Sequence, residues 1–443
     1  HRSTQWQSTQ MHMPPDPDLK SILTLPPGDQ AGALWQLLDP PQWPIQFEDL
    51  PQGSALVGGA VRDGLLGRLA ARPDLDLVVP VEAIDLAQTL ARRHGASVVV
   101  LDRDRSIARL VLRGWTVDLA RQEGTTLADD LQRRDYSINA IALTLPQGRA
   151  GAVLVDPCQG LQDLAAGRLR AISEANLLDD PLRLLRGMRL VGDLALAIDR
   201  QSGGWIRNHR ARLTQVAPER VLAELERMAA SCSGHQGLAL ALNYGLLEPW
   251  LAGDAPPQGA DQLLEALTPV EGQARGLSPD ELLTALPVAR LALLFDTASL
   301  VRLQASRRLQ KRVGNLHHWL KRLQVPGIGG ALERLAEDER LKLQIELETD
   351  MPALLLHLER RQAEAALERW RDPDDPLFHP AAPTDGHTLQ QQLQVPAGPL
   401  LGQLLHYLKQ ERAMGRLPAQ NHDQELIRSK AAGWLQARAG GVT

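Results

Sequence analysis

The chain has 443 residues, 44% hydrophobic and 23% charged, with a formal net charge of −5. That composition excludes a disordered or fibrous chain, and the length implies two to four domains of roughly 100–200 residues each. Two distant cysteines, Cys158 and Cys232, argue against a disulfide framework and fit a reducing, cytoplasmic setting; no apolar run reaches the roughly 20 residues of a membrane span.

Residues 1–45 are rich in Pro, Gln and polar side chains and read as a loose lead-in without the apolar core of a signal peptide. The chain does not begin with methionine, so Met11, Met13 or an upstream residue is the expected start. From 46 to 172 the pattern alternates. Apolar runs at 54–57, 75–79, 96–101, 108–112 and 115–119 predict strands, and Val81–His94 predicts a helix. Beyond Ser173 the spacing turns helical, with helices expected over Pro181–Leu196, Pro218–Ala230, Gly237–Leu247, Ala260–Leu267 and Pro279–Leu294. Gly203-Gly204, Pro256-Pro257 and Pro326-Gly327 with Gly329-Gly330 read as breaks. A Pro- and Asp-rich linker is expected from Arg371 to Gly386, and a last helical segment from about Gly398 to Ala439.

Five motifs carry chemistry. In Leu56-Val57-Gly58-Gly59-Ala60-Val61-Arg62-Asp63 a strand ends in two glycines and a helix begins. Gly58, Gly59 and Arg62 are candidate nucleotide contacts, although such a turn can also be only a tight connection. In Pro73-Asp74-Leu75-Asp76 the two acids alternate with leucines, so Asp74 and Asp76 share one face of a strand. Either a magnesium ion relieves their repulsion, or Asp74 ends the strand and Asp76 is merely solvated. Asp118, on the strand Trp115–Leu119, is a candidate third carboxylate, as a shared metal ligand or as base for an attacking hydroxyl.

In Arg133-Arg134-Asp135-Tyr136-Ser137-Ile138-Asn139 the arginines suit a polyphosphate, and Asp135 and Asn139 can bond ribose hydroxyls. In Asp180-Pro181-Leu182-Arg183, Asp180 reads as a helix N-cap with Pro181 following. Arg183, Arg186 and Arg189 then gather towards one face. In Pro218-Glu219-Arg220-Val221-Leu222-Ala223-Glu224, Arg220 and Glu224 stand four apart and can simply pair. Between Asp296 and Glu333 no acid occurs. The run containing Arg307, Arg308, Lys311 and Arg312 is either a solvated helix face or a surface for nucleic-acid backbone phosphates.

Together, over about residues 54–228, these motifs resemble the class II tRNA nucleotidyltransferase and bacterial poly(A) polymerase family. Asp385-Gly386-His387 and Pro396–Gly402 resemble its tail more weakly. The resemblance implies an α+β fold: a nucleotidyltransferase head (46–172) with a small mixed sheet, then an all-α neck (173–250), body (251–375) and tail (376–443). It implies Asp74 and Asp76 as ligands of two Mg2+ ions, Arg134 facing the triphosphate, and Asp135 and Asn139 at the ribose. Asp180 and Arg183, with Arg186 nearby, would pair with cytosine or adenine. Body and tail would hold the acceptor and TΨC arms of tRNA. The implied reaction is transfer of CMP and/or AMP from CTP and ATP to a tRNA 3′ end. The segment 68–73 is slightly longer than is usual in the family, and the stretch from Asp118 to Arg133 is short, as in relatives that add only CC. A poly(A) polymerase and a non-catalytic RNA-binding protein are the alternatives. A phosphohydrolase built on His422-Asp423 lacks further ligands at suitable spacing. The sequence leaves the oligomeric state open.

Overall fold

Pro26-Pro27 fixes the entry to the first helix, and Ala31, Leu34, Trp35 and Leu38 then recur at helical spacing and are all buried. In chain order the amino-terminal part runs α1 (Pro27–Leu38), β1 (Ala55–Val57), α2 (Gly59–Leu65), β2 (Leu75–Val79), α3 (Ala83–His94), β3 (Ser97–Asp102), β4 (Ile107–Leu112) and β5 (Trp115–Arg121). It continues with α4 (Leu127–Gln132), β6 (Ala142–Thr144), β7 (Leu154–Val155) and α5 (Gly160–Ala165). The structure is a computed structural model and describes residues 22–146, 151–324, 332–418 and 423–439.

The expected loose lead-in is overturned from Ile22 onward. Trp35 Nε1 donates to the Thr144 carbonyl at 3.1 Å, and Phe47 packs edge to face with both Trp35 and Trp43. A Cβ at Gly64 would lie 2.4 Å from Leu34, so α1 crosses α2 closely. The Pro- and Gln-rich composition masks a short apolar stripe.

The strands pair in the order β3-β4-β5-β2-β1-β6-β7. β2 and β5 are parallel and the other neighbours antiparallel, so the sheet is mixed as expected. The parallel pair needs a crossover, which α3 and the β3–β4 hairpin supply. Ala83, Ala87 and Leu90 of α3 are buried on one side of the sheet, where Leu75, Leu77, Val117 and Leu119 also point. That burial leaves the intervening positions, Asp76 and Asp118, on the other side.

After the sheet come α6 (Glu174–Asp179), α7 (Leu182–Leu194), α8 (Arg200–Asn208), α9 (Pro218–Ala230) and α10 (Gly234–Asn243). The all-α expectation beyond residue 173 misses one short strand, Ala197–Ile198, which pairs in parallel with Arg168–Leu169. The break expected at Gly203-Gly204 lies inside α8. There a Cβ at Gly203 would sit 3.1 Å from the Tyr244 hydroxyl, so this glycine serves close packing.

Contacts divide the chain into two compact units: His12–Glu224 with Leu240–Pro249, and Leu225–Ala239 with the residues from Trp250 onward. The second unit is helical among its described residues. It contains α11 (Ala260–Glu265), α12 (Pro269–Ala274), α13 (Pro279–Leu294), α14 (Thr297–Arg302), α15 (Arg307–Leu323) and α16 (Glu337–Glu346). α17 (Met351–Leu355), α18 (Arg360–Arg371), α19 (Gly386–Leu393), α20 (Pro399–Ala413) and α21 (Gln424–Ala439) complete it. Leu389, Leu404, Leu408, Ile427 and Ala431 form an apolar cluster of their own among the last three helices. The expected breaks at Pro326-Gly327 and Gly329-Gly330, and His422, lie outside the described residues. No described helix is long and apolar enough to cross a membrane.

Candidate active site

β1 ends at Val57, and Gly58 follows with φ 73° and ψ −134°, a backbone region open almost only to glycine. A Cβ there would lie 3.1 Å from Asp76 Oδ2, so the turn needs glycine twice over. At seven residues, α2 contributes little dipole, and the turn's contribution is close approach of backbone to the carboxylate. Arg62 leans out of α2, and its Nη1 donates to Asn139 Oδ1 at 2.6 Å. Asn139 in turn donates to Asp135 at 3.2 Å, and Arg186 of α7 donates to the same carboxylate at 3.0 Å. Arg62, Asn139, Asp135 and Arg186, far apart in sequence, thus form one chain of contacts. Asp135 is 5% exposed. Burial alone would raise its carboxyl, but Arg186, the Tyr136 amide, Arg183 and Asn139 outweigh burial and hold it below the usual range.

The register sets Asp76 beside Val57 on one side and Asp118 on the other. The Asp76 side chain makes no hydrogen bond among the described residues. Burial, then the negative charges of Asp118 and Asp74, push its carboxyl up to about 6, while Arg134 and Arg109 pull the other way. Asp74 lies one residue before β2 and is exposed. Asp118 differs from expectation: Arg109 of β4 takes both its oxygens, at 2.7 and 2.8 Å. The anticipated third ligand or base is therefore held in a bidentate ion pair. Among the described residues no group of three or more His, Cys, Asp or Glu side chains is arranged around a metal position. A hard cation at Asp74 and Asp76 would complete its shell with water and phosphate oxygens, as magnesium commonly does. Asp76, crowded by two other carboxylates and with no side-chain hydrogen bond among the described residues, is the observation that fits such an ion, because a nearby positive charge would relieve it.

Arg134 donates through Nη2 to Asp130 at 3.1 Å, while its buried Nε has no partner among the described residues. The connection from β5 to α4 spans 122–126 and is tied at several points. Glu123 N donates to Asp130 at 2.9 Å, Arg133 pairs with Glu123 at 3.0 Å, and Thr126 and Asp129 close a capping box on α4.

In the helices that follow, the expected N-cap is displaced by one residue. α7 starts at Leu182, and Asp180 ends α6 while accepting from Leu182 N at 3.3 Å. Its other oxygen accepts from Arg220 at 2.7 Å. Arg189 donates to Glu224 at 2.8 Å, so the anticipated Arg220–Glu224 pair does not form. Arg183 donates to the Asn176 carbonyl at 2.6 Å and the Arg133 carbonyl at 3.2 Å. The three arginines thus serve three different acceptors: backbone carbonyls, Asp135 and Glu224. Sequence reasoning overlooked Arg109, which stands as a lone base in Ile107-Ala108-Arg109-Leu110-Val111. Only the β4–β5 register, invisible in the sequence, brings it to Asp118.

In the second unit, the basic run is divided. Arg312 is held by Asp350 at 2.6–3.1 Å, which removes it from the expected RNA-binding set; a nearly buried carboxylate claims its guanidinium. Lys321 and Arg322 pair with Asp254 and Glu339, each at 2.7 Å. Arg307, Arg308 and Lys311 are exposed and make no ion pair among the described residues.

Residues 54–170 match the family described as the poly A polymerase head domain, and residues 195–258 that described as a probable RNA and SrmB-binding site of polymerase A. The chain is 44% identical over 211 residues to a CC-adding tRNA nucleotidyltransferase of Synechocystis, covering 48% of this chain and 50% of the relative. It is 38% identical over 217 residues to an A-adding tRNA nucleotidyltransferase of Deinococcus radiodurans, covering 48% of each. The chain spans about half the length of the curated relatives it matches. Its fold is shared with the Thermotoga maritima CCA-adding enzyme, solved with tRNA, at a TM-score of 0.64 and 19% identity over 94% of this chain and 98% of that one. The family resemblance and the α+β architecture read from the motifs are borne out.

Proposed function

We infer that this chain, whose head is that of the tRNA nucleotidyltransferase and poly(A) polymerase family, transfers CMP from CTP to the 3′ end of tRNA, adds two cytidines, and stops. The observation that carries the transfer reading is the Asp74–Asp76 pair, with Asp76 unpartnered and set against the Gly58 turn. Two magnesium ions held by Asp74 and Asp76 would polarise the attacking 3′ hydroxyl and the leaving pyrophosphate. Arg134 would turn its spare Nε to the triphosphate. Asp135, fixed as a carboxylate by Arg186, and Asn139, fixed by Arg62, would hold the ribose hydroxyls. To read a base edge, Asp180 must give up Arg220, and Arg183 its two carbonyls. In its present bonds, Asp118 serves to hold Arg109 and to charge the site rather than as the base.

The stop after two residues rests on the short, tied connection at 122–126. Relatives that add the full CCA commonly carry a longer, flexible loop there, and a CC-adding relative is 44% identical to this chain over 211 residues. In this reading the head is 46–172 and the neck 173–250. The body (251–375) and tail (376–443) hold tRNA, with Arg307, Arg308 and Lys311 on its phosphates. The free cysteines accord with a cytoplasmic setting.

The test supplies magnesium and tRNA lacking its CCA end, with CTP, ATP or both, and sizes the products at single-nucleotide resolution. Two added residues, with ATP present or absent, are expected. A third residue would assign the full CCA activity, an ATP ladder a poly(A) polymerase, and RNA binding without extension a non-catalytic protein.

A further inference from the structure

The face of the sheet that carries Asp76 continues outward over β5, β4 and β3. The registers set Asp76, Asp118, Arg109 and Val99 side by side on it, one per strand. Val111, two residues beyond Arg109, shares the face and pairs with Ser97, diagonal to Val99. Val99 is 49% exposed and Val111 45%. The opposite face of β4 and β5 is closed, with Ala108, Leu110, Val117 and Leu119 buried on the side of α3. Isolated exposed valines need no explanation. These two are neighbours, and between them and the carboxylates stands the half-exposed guanidinium of Arg109.

The direction of attack decides what this surface meets. In phosphoryl transfer the attacking and leaving oxygens lie roughly in line across the phosphorus. The groups suited to the incoming nucleotide, Gly58 and Arg62, follow β1, on one side of Asp76. The attacking RNA therefore comes from the other side, over β5, β4 and β3. Strands lie about 4.8 Å apart, so Val99 is roughly 10 Å from Asp118. That distance corresponds to roughly two to three stacked nucleotides at about 3.4 Å each. We propose that Val99 and Val111 form an apolar platform for the bases of the unpaired nucleotides just upstream of the reacting 3′ hydroxyl, with the exposed edge of Arg109 towards their phosphates. The inference rests on the transfer reading above and specifies where that reaction's RNA substrate lies.

Two variants test it: Val99→Thr with Val111→Thr, which keeps branched strand-forming side chains, and Val99→Asp with Val111→Asp. KM is measured for RNA and for CTP separately, along with thermal melting and molar mass by light scattering. The Asp pair is expected to raise KM for RNA about 10-fold and the Thr pair about 3-fold, with KM for CTP moving less than about 2-fold. RNA with abasic residues two and three positions from its 3′ end should raise KM for the unaltered protein similarly, and the substitutions should then add nothing. Unchanged KM for RNA in both variants overturns the platform, as does full additivity with the abasic substrate. If either variant fails to fold, indifference of the unaltered protein to the abasic positions is itself sufficient to overturn it. A shift in molar mass with unchanged KM assigns the patch to contact between copies and also overturns it. If the unaltered protein extends no RNA at all, the transfer reading falls, and this inference with it.

Discussion

Asp76→Asn should stabilise the metal-free protein while abolishing its activity. Asp76 sits beside Asp118 and Asp74 without a hydrogen-bond partner, and its carboxyl lies near 6 rather than 3.8. Burial is the largest cause, the two neighbouring carboxylates add to it, and Arg134 and Arg109 only partly offset them. The difference corresponds to at most about 3 kcal/mol against folding at neutral pH. Solvent reaching this partly open site leaves roughly 1–2 kcal/mol. The sign follows from proton counts. Between 3.8 and about 6 the folded state holds a proton that the unfolded state has lost, so stability falls as pH rises through that window. Asparagine never ionises and escapes the penalty. In EDTA at pH 7.5 the variant should melt about 3–6 °C higher, and the gap should shrink as the pH falls and approach zero only below the unfolded value of 3.8. Magnesium should then raise the melting temperature of the unaltered protein and not that of the variant. A variant that melts at or below the parent at pH 7.5, or a gap independent of pH, would refute the account of Asp76.

Gly58→Ala should cost about 1–3 kcal/mol by thermal melting, because alanine disfavours φ 73° and its Cβ would press on Asp76. It should also weaken binding of CTP with magnesium in calorimetry. Arg186→Ala leaves Asp135 buried without its cation and should cost about 3–5 kcal/mol in denaturant unfolding. Replacing Arg307, Arg308 and Lys311 together with Ala should lower the slope of log affinity for tRNA against log salt by about 2 without changing melting. Arg312→Ala should do the reverse, lowering melting through the stranded Asp350 and leaving the salt slope unchanged.

Local signals in the sequence sufficed wherever chemistry and secondary structure coincide. The apolar alternation around Asp74 and Asp76 placed β2 to the residue, and the Gly58-Gly59 turn followed from residue type. The signals failed where a partner lies far off in sequence. Arg109 meets Asp118 only through strand register, and Arg220 reaches Asp180 across 40 residues in preference to the nearby Glu224. Composition misled at α1, where four apolar residues at helical spacing outweigh prolines and glutamines. It misled again at Gly203, whose role is to make room for Tyr244 rather than to end a helix. Arg312 shows why a charge run is a poor guide to an RNA surface: one buried acid withdraws a member from it.

The most direct test of transfer at Asp74 and Asp76 is extension of tRNA lacking its CCA end with magnesium and CTP alone. The account predicts growth by two nucleotides, released pyrophosphate in equal number, and no product from Asp74→Ala or Asp76→Asn proteins that remain folded. Extension by either of those variants at a rate near that of the parent would contradict it.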